Sequence, residues 1–534
     1  MSCSKIFTGD LPELTHDIIK YFKNDFSTLY SCILVNRLWC RLAIPLLWEN
    51  PFSIPTENYN FIEIYLLNLN SELKIILNEY RIEENLIPSN AIFNYPSFIK
   101  YLNTWRIITS IEKWTEDAVR TIKPEKRKLD YINSFQRLIH MSLYKIFTES
   151  EIKLHTLEIE IYRNPIHDSY LNYDLDLLLQ YPSFFHSIRN LKLLISDSSN
   201  FLISYNNNRL SQIINLHQNL NKIVLNDNSF PLYQSLLLSK DYNCSNTLSS
   251  IILYQVNLKN IINLDKAFEQ LNVLECVHII NCFLNNSFIQ QIINLAKPFK
   301  LKSLFINGGS QIDELPFQLL LQKYGEYLEN FGFGYGCNLT IKRELLELIM
   351  KYCKNIKFFE SCEHENQIIY LVFGLIESIN QNLNHLSIDV CETLYLDNQI
   401  INNNIKRSSI ILQNLGQSLP LNLEYLSLIL NINNLNDFEI FLKNSQNNFF
   451  KKLLIHNKGA YNILPYVKEY IMKKRRVNYL AILDSFESIM IGRNFYNKDL
   501  FLLEDEVNEF GLYNIKIMKY NDLAICSKLN FIFS

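Results

Sequence analysis

Apolar and polar positions recur along most of the chain in one form. Residues 154–159 read LHTLEI, 301–306 LKSLFI, 383–388 LNHLSI and 423–428 LEYLSL. Each is Φ-x-x-Φ-x-Φ, with Φ apolar. The last two apolar positions are one residue apart, the period of a half-buried strand. The unit begins at Leu154, Ile188, Leu220, Leu248, Leu271, Leu301, Leu328, Ile356, Leu383, Leu423, Phe450, Val477 and Leu512. The twelve intervals between 154 and 512 average about 30 residues and run from 23 to 40.

The stretches between these units carry helical spacing. In LTIKRELLELIMKYCKN, residues 339–355, Leu345, Leu346, Ile349 and Met350 share one face and charged residues fill the other. The repeat is therefore strand, loop, helix, loop. One such repeat cannot bury its own apolar face, whereas stacked neighbours form a continuous core. The pattern predicts an α/β fold over residues 151–534, with a curved parallel sheet inside and helices outside.

This pattern resembles the leucine-rich repeats, in their long helix-containing class, over roughly residues 150–525. The resemblance implies Asn or Cys at the ninth position of a unit, and Asn228, Cys391 and Asn431 stand there. It also implies that partners bind on the inner sheet surface. Apolar residues at the positions facing that way are not required by the core. Val224, Ile252, Tyr254, Phe305, Phe358 and Tyr425 are therefore the candidate substrate-binding residues.

The first 50 residues follow a different rule. Asp10 precedes Leu11-Pro12-Glu13, a capping-box start. Leu14, Ile18, Ile19 and Phe22 then share a face. A second helix is predicted from Asp25, with Leu29, Cys32 and Ile33 as its stripe. A third is predicted near Asn36, carrying Leu38, Trp39, Leu42 and Ala43, with Pro45 disfavouring its continuation. Three helices in about 40 residues are too few to be stable without packing against something else. Residues 51–150 read as a helical connector that caps the first repeat.

The opening segment resembles the F-box. Leu11-Pro12, Ile18, Leu29, Cys32 and LVNRLWCRLAIPLLW (residues 34–48) carry the likeness, with Asn36 where the family has Cys and Leu14 where it usually has an acid. The resemblance implies domains at 1–50 (F-box), 51–150 (connector and cap) and 151–534 (repeats). It implies that Leu11, Pro12, Leu14, Ile18, Leu29, Cys32, Val35, Arg37 and Trp39 bind a Skp-type linker, and through it cullin and RING subunits. The implied function is a substrate adaptor of an SCF-type ubiquitin ligase, holding an unknown protein substrate on its repeats. The rival reading is a repeat scaffold with no ubiquitin role, in which these residues form the core of a small helical cap.

Composition narrows the classes. The chain has 534 residues, 48% hydrophobic and 20% charged, too many for one ordinary core. A net charge of −3 argues against nucleic acid as a partner. Eleven cysteines without a CxxC read as reduced thiols of a cytoplasmic or nuclear protein. The apolar run Ile368–Ile376 is half a membrane span, and MSCSKIFTGDLPE has no apolar signal core, so no membrane partner is expected.

No P-loop, GxSxG, HExxH or EF-hand pattern occurs, so no catalytic residue, metal or cofactor is expected. FGFGYG, residues 331–336, reads as close backbone packing. Cys353, Cys362 and His364 lack a zinc spacing. Lys126-Arg127-Lys128 and Lys473–Arg476 are candidates for nuclear import or acidic contacts, weighed against solvated helix ends.

Overall fold

The structure is a computed structural model. It describes residues 12–524 except 24, 55–58, 68, 70–91, 121–128, 151, 162–164, 196–199, 239–243, 298, 335, 363–365, 391–397 and 488–494. The chain divides into two compact units. The first holds residues 1–251 and 270–273, the second residues 252–269 and 274–534.

The first unit opens with α1 (Pro12–Lys20), α2 (Phe26–Ile33) and α3 (Arg37–Leu47). The caps stand where the polar residues interrupt the apolar pattern. Asp25 Oδ1 accepts from Thr28 N at 3.1 Å, and Asn36 Oδ1 accepts from Trp39 N at 2.9 Å. α3 runs two residues past Pro45. The lost amide bond falls in its last turn, where little helix remains to be broken. A short α4 (Phe61–Leu66) follows.

β1 (Tyr101–Asn103), α5 (Thr104–Arg120) and α6 (Leu129–Glu149) come next. The expected connector thus already holds a strand, and β1 pairs in parallel with β2 (Thr156–Ile161). α7 (Pro165–Gln180), β3 (Asn190–Ile195), α8 (Asn200–Leu216), β4 (Lys222–Leu225) and α9 (Phe230–Leu237) continue the alternation. β2, β3 and β4 are parallel and in register, with Leu157, Leu191 and Ile223 side by side and buried. Burying one such side chain is worth roughly 2 kcal/mol. The leading apolar residues of the repeat, Leu154, Ile188, Leu220 and Leu248, are also buried. β5 (Ser250–Tyr254) falls at the division between the units.

The second unit holds α10 (Leu264–Glu269), β6 (Cys276–Cys282), α11 (Asn286–Ile293), β7 (Lys300–Ile306), α12 (Glu314–Tyr324) and β8 (Asn330–Phe333). It continues with α13 (Leu339–Tyr352), β9 (Phe358–Cys362), α14 (Asn366–Ser378), β10 (His385–Asp389), α15 (Asn398–Ser418) and β11 (Tyr425–Leu430). It closes with α16 (Leu435–Asn444), β12 (Phe450–Asn457), α17 (Leu464–Val467), β13 (Val477–Glu487), β14 (Phe495–Asp499), α18 (Glu504–Gly511), β15 (Lys516–Ile517) and α19 (Tyr520–Ala524).

β6 to β13 are parallel in chain order. Leu304, Phe331, Phe359, Leu386, Leu426, Leu453 and Leu480 form one buried rung along β7–β13. Parallel strands joined by right-handed crossovers place every connecting helix on the same face. Two departures from the repeat stand out. β13 pairs antiparallel with β14, and in parallel with the two-residue β15. The unit read at Leu271 is misplaced, because Val277, not Leu271, stands in register with Leu301. No described helix is long and apolar enough to cross a membrane.

Candidate partner-binding surfaces

The three N-terminal helices close around a core of Ile19, Leu29, Cys32, Trp39 and Ala43. Of the expected linker-binding set, Leu29, Cys32 and Trp39 are buried between the helices. Their role is to hold the helices together. Leu11 and the side chain of Pro12 lie outside the described residues. Leu14 (47% exposed), Ile18 (38%) and Val35 (48%) are open, as is Arg37. Tyr21 (93%) and Leu34 (73%), which were not in the expected set, are open as well. Leu14 and Ile18 are one turn apart on α1, and Tyr21 follows in the turn after it, its N–H donating to Ile18 O at 3.1 Å.

The helices are tied to the first sheet through Glu49. Its carbonyl accepts from Lys100 N at 3.0 Å and Tyr101 N at 3.1 Å, which starts β1. Its carboxylate is buried between two ammonium groups, Lys23 Nζ at 2.8 Å and Lys100 Nζ. Lys23 lies in the turn after α1, 5.3 Å from the centre of the Tyr101 ring. Trp48, at the end of α3, packs on Tyr65 and Tyr95 with ring centres 5.3 and 4.4 Å away. Burial works against the charge on Lys23, but Glu49 more than compensates and holds its pKa above the ordinary lysine value.

The six candidate inner-face residues do not form an open patch. Val224, Ile252, Phe305, Phe358 and Tyr425 are buried, and Tyr254 is half-buried. The aromatic members pack on each other. Phe305 reaches Phe358 edge-on at 5.5 Å, and Phe358, His385 and Tyr425 stack in sequence at 5.9 and 5.4 Å. The Phe305 ring lies over Gly332, where a Cβ would meet Phe305 Cδ1 at 2.8 Å and Glu360 O at 2.8 Å. Gly332 is therefore close packing, with Phe331 and Phe333 in the core, whereas a Cβ on Gly336, at φ +75°, would meet open space. Tyr520 and Leu523 of α19 pack with Tyr425, Leu454 and Ala481. In the first unit Val224 is in register with Lys192, itself buried by ion pairs to Glu158 (3.2 Å) and Glu160 (2.8 Å). Apolar residues outside the repeat's own core thus still bury themselves.

The basic motifs separate as well. Lys473, Lys474 and Arg475 are exposed, but Arg476 is buried. Its guanidinium donates to Leu442 O at 3.1 Å, Asn448 O at 3.2 Å and Ser445 O. Burial pushes its pKa down to about 10. Lys342, expected on the charged face of α13, is also buried and donates to Cys362 O. Lys126-Arg127-Lys128 and His364 lie outside the described residues. Cys353 and Cys362 are buried, and burial pushes the Cys353 thiol up to about 12. Asn228 Nδ2 donates to Ile195 O of the preceding repeat at 2.9 Å, the backbone contact that its position implies.

These features define a class: a strand–helix repeat protein with a parallel-dominated sheet and a three-helix unit at its N-terminal end. No family model and no curated protein sequence matches the chain. Among solved structures it is similar to a chain of the crystal structure of the Rad7 and Elc1 complex in yeast, with a TM-score of 0.31 and 10% identity over 67% of this chain and 88% of that chain. A likeness at that score identifies neither a family nor a partner.

Proposed function

We propose that the chain is a substrate-recognition adaptor of an SCF-type ubiquitin ligase. The observation that carries this reading is the open apolar stripe of Leu14 and Ile18 on α1, continued by Tyr21 in the turn after it, on a three-helix unit that has already spent Leu29, Cys32 and Trp39 on its own core. So small a unit gains stability from a partner that covers the stripe. A Skp-type linker docks there, with Val35 and Arg37 at the α2–α3 corner, and brings the cullin and RING subunits with it. The repeats hold a protein substrate. No reactive group is needed from this chain, because its contribution is to keep a substrate lysine near a charged ubiquitin. The Glu49 ion pairs suit that role, since they tie the docking helices to the sheet.

Co-purification with a Skp-type linker tests the reading. The double variant Leu14→Asp, Ile18→Asp is expected to lose linker binding by more than about a hundredfold, since each apolar contact is worth roughly 1.5–3 kcal/mol. Its melting curve is expected to stay unchanged, because neither residue is in the core. Failure of the intact chain to bind the linker retires the proposal and leaves a repeat scaffold with no ubiquitin role.

A further inference from the structure

The leading residues of the strands in the first unit form a row. Lys100, His155, Arg189 and Asn221 stand side by side because each carbonyl accepts amide bonds from the strand that follows. His155 N and Thr156 N donate to Lys100 O, and Arg189 N and Asn190 N donate to His155 O. Neighbouring strands lie about 4.8 Å apart, so Lys100, His155 and Arg189 are spread over roughly 10 Å. The next row inward contains Tyr101, Thr156, Asn190 and Lys222, in register. Lys23 reaches the same edge at Tyr101.

Among the described residues, one acid, Glu49, sits in this group, buried between Lys23 and Lys100. The pKa of His155 reports the balance. It is lowered first by burial, then by Lys23, Lys100 and Arg189, with Glu49 alone opposing. The equivalent row of the second unit is neutralised from within. There Glu329 lies between Lys302 (3.2 Å) and Lys357 (3.0 Å), and Glu424 faces Lys451 at 4.0 Å. Two rows built by the same backbone rule thus differ in charge, and the first carries an excess of cations.

We propose that this ridge, formed by Lys23, Lys100, His155, Arg189 and Lys222, binds an extended acidic peptide, a short run of Asp and Glu side chains. As the substrate surface of an adaptor, it rests on the reading given above. An extended peptide rises about 3.3 Å per residue, so carboxylates two apart on one side lie roughly 7 Å from each other, a wider step than the roughly 4.8 Å between adjacent strands that the long Lys and Arg side chains span. Exposed Arg189 supplies a fork suited to a carboxylate. Nucleic acid fits poorly. The ridge spans only four strands, β1 to β4, a length of roughly 15 Å. The net charge of −3 gives no wider attraction to a polyphosphate.

Fluorescence anisotropy of the full chain with a labelled peptide alternating Glu and Ser tests the ridge. Binding is expected at about 0.05 M salt and is expected to weaken as salt rises to about 0.3 M. Arg189→Glu with Lys222→Glu is expected to weaken it by about tenfold or more, and the milder Arg189→Gln with Lys222→Gln by less. The control pair Lys302→Glu, Lys357→Glu in the second unit is expected to leave it unchanged. Three outcomes each overturn the proposal: no binding by the intact chain at low salt, equal loss in ridge and control variants, or tighter binding of a single-stranded oligonucleotide of the same length. Linker co-purification from the same preparations separates the two readings. Peptide binding that persists without linker binding removes the adaptor and leaves the ridge. Linker binding without peptide binding does the reverse.

Discussion

At the residue scale, the surprises are charged side chains that the helical pattern assigns to solvent and packing then claims. Arg476 closes a basic run, yet it spends its guanidinium on four backbone carbonyls, those of Leu442, Ser445, Asn448 and Tyr470. The first three lie at the end of α16 and in the turn after it, where carbonyls run out of helical partners. Arg476→Met retains much of the volume but removes the guanidinium from all of these carbonyls, of which Ser445 O keeps its bond from Asn448 N. It is expected to cost about 3 kcal/mol, read as a shift in the urea midpoint. Lys473→Met and Lys474→Met, in exposed positions, are expected to change stability by less than about 0.5 kcal/mol. Similar shifts for all three would show that the Arg476 bonds carry little. Gly332 makes the same point in reverse. A methyl group there collides with Phe305 and with a backbone carbonyl, so Gly332→Ala is expected to cost about 1–3 kcal/mol by thermal melting.

At the element scale, Glu49 joins two kinds of architecture. Glu49→Gln keeps the shape and removes the charge that Lys23 and Lys100 share. Because both lysines are about half exposed, the expected loss is about 1–2 kcal/mol, well below that for a fully buried pair. Amide exchange in α1 and α2 is expected to quicken while β6–β13 stays protected, and equal quickening in both places would refute the clamp. Much of this level was legible in the sequence. Alternation marked β2, β3, β4, β7 and β8–β13, and the polar breaks at Asp25 and Asn36 marked two helix starts. β1 was missed because Tyr101-Leu-Asn is too short to show a period. β6 was displaced because LNVLEC and VHIINC both satisfy the apolar template, and only pairing chooses between them. The burial of the inner-face candidates was not legible for a different reason. Burial there depends on rings from neighbouring strands and on α19, some 95 residues beyond Tyr425, and no local pattern records such contacts. Glu49 was invisible likewise, its partners lying 26 and 51 residues away in the chain.

At the scale of the whole molecule, acid is the condition that reaches both units. His217 in the first unit, and His385 and His456 in the second, are mostly buried, and their pKa values are pushed down to about 4. Burial is the leading cause for each, aided at His385 by Lys452 and Lys451 and at His456 by Lys458. An unfolded histidine titrates near 6.5, so between about 6.5 and 4 the unfolded chain binds protons that the folded chain refuses. The stability from keeping each ring neutral is complete above about 6.5 and is lost as pH falls toward 4. For His217, which is fully buried, that amounts to about 3 kcal/mol. Asp174 and Asp484, whose pKa values burial raises, act in the opposite sense and offset part of the loss. The urea midpoint is therefore expected to fall steadily from pH 7 to pH 4.5. His385→Phe isolates one contribution, because a third aromatic ring suits the stack between Phe358 and Tyr425. The variant gives up the contact of His385 Nδ1 with Asn384 and should lose less stability than the native chain on acidification. An acid loss of the same size in both proteins would mean that His385 is protonated in the folded state, and that the aromatic column is open to water where its burial says it is closed.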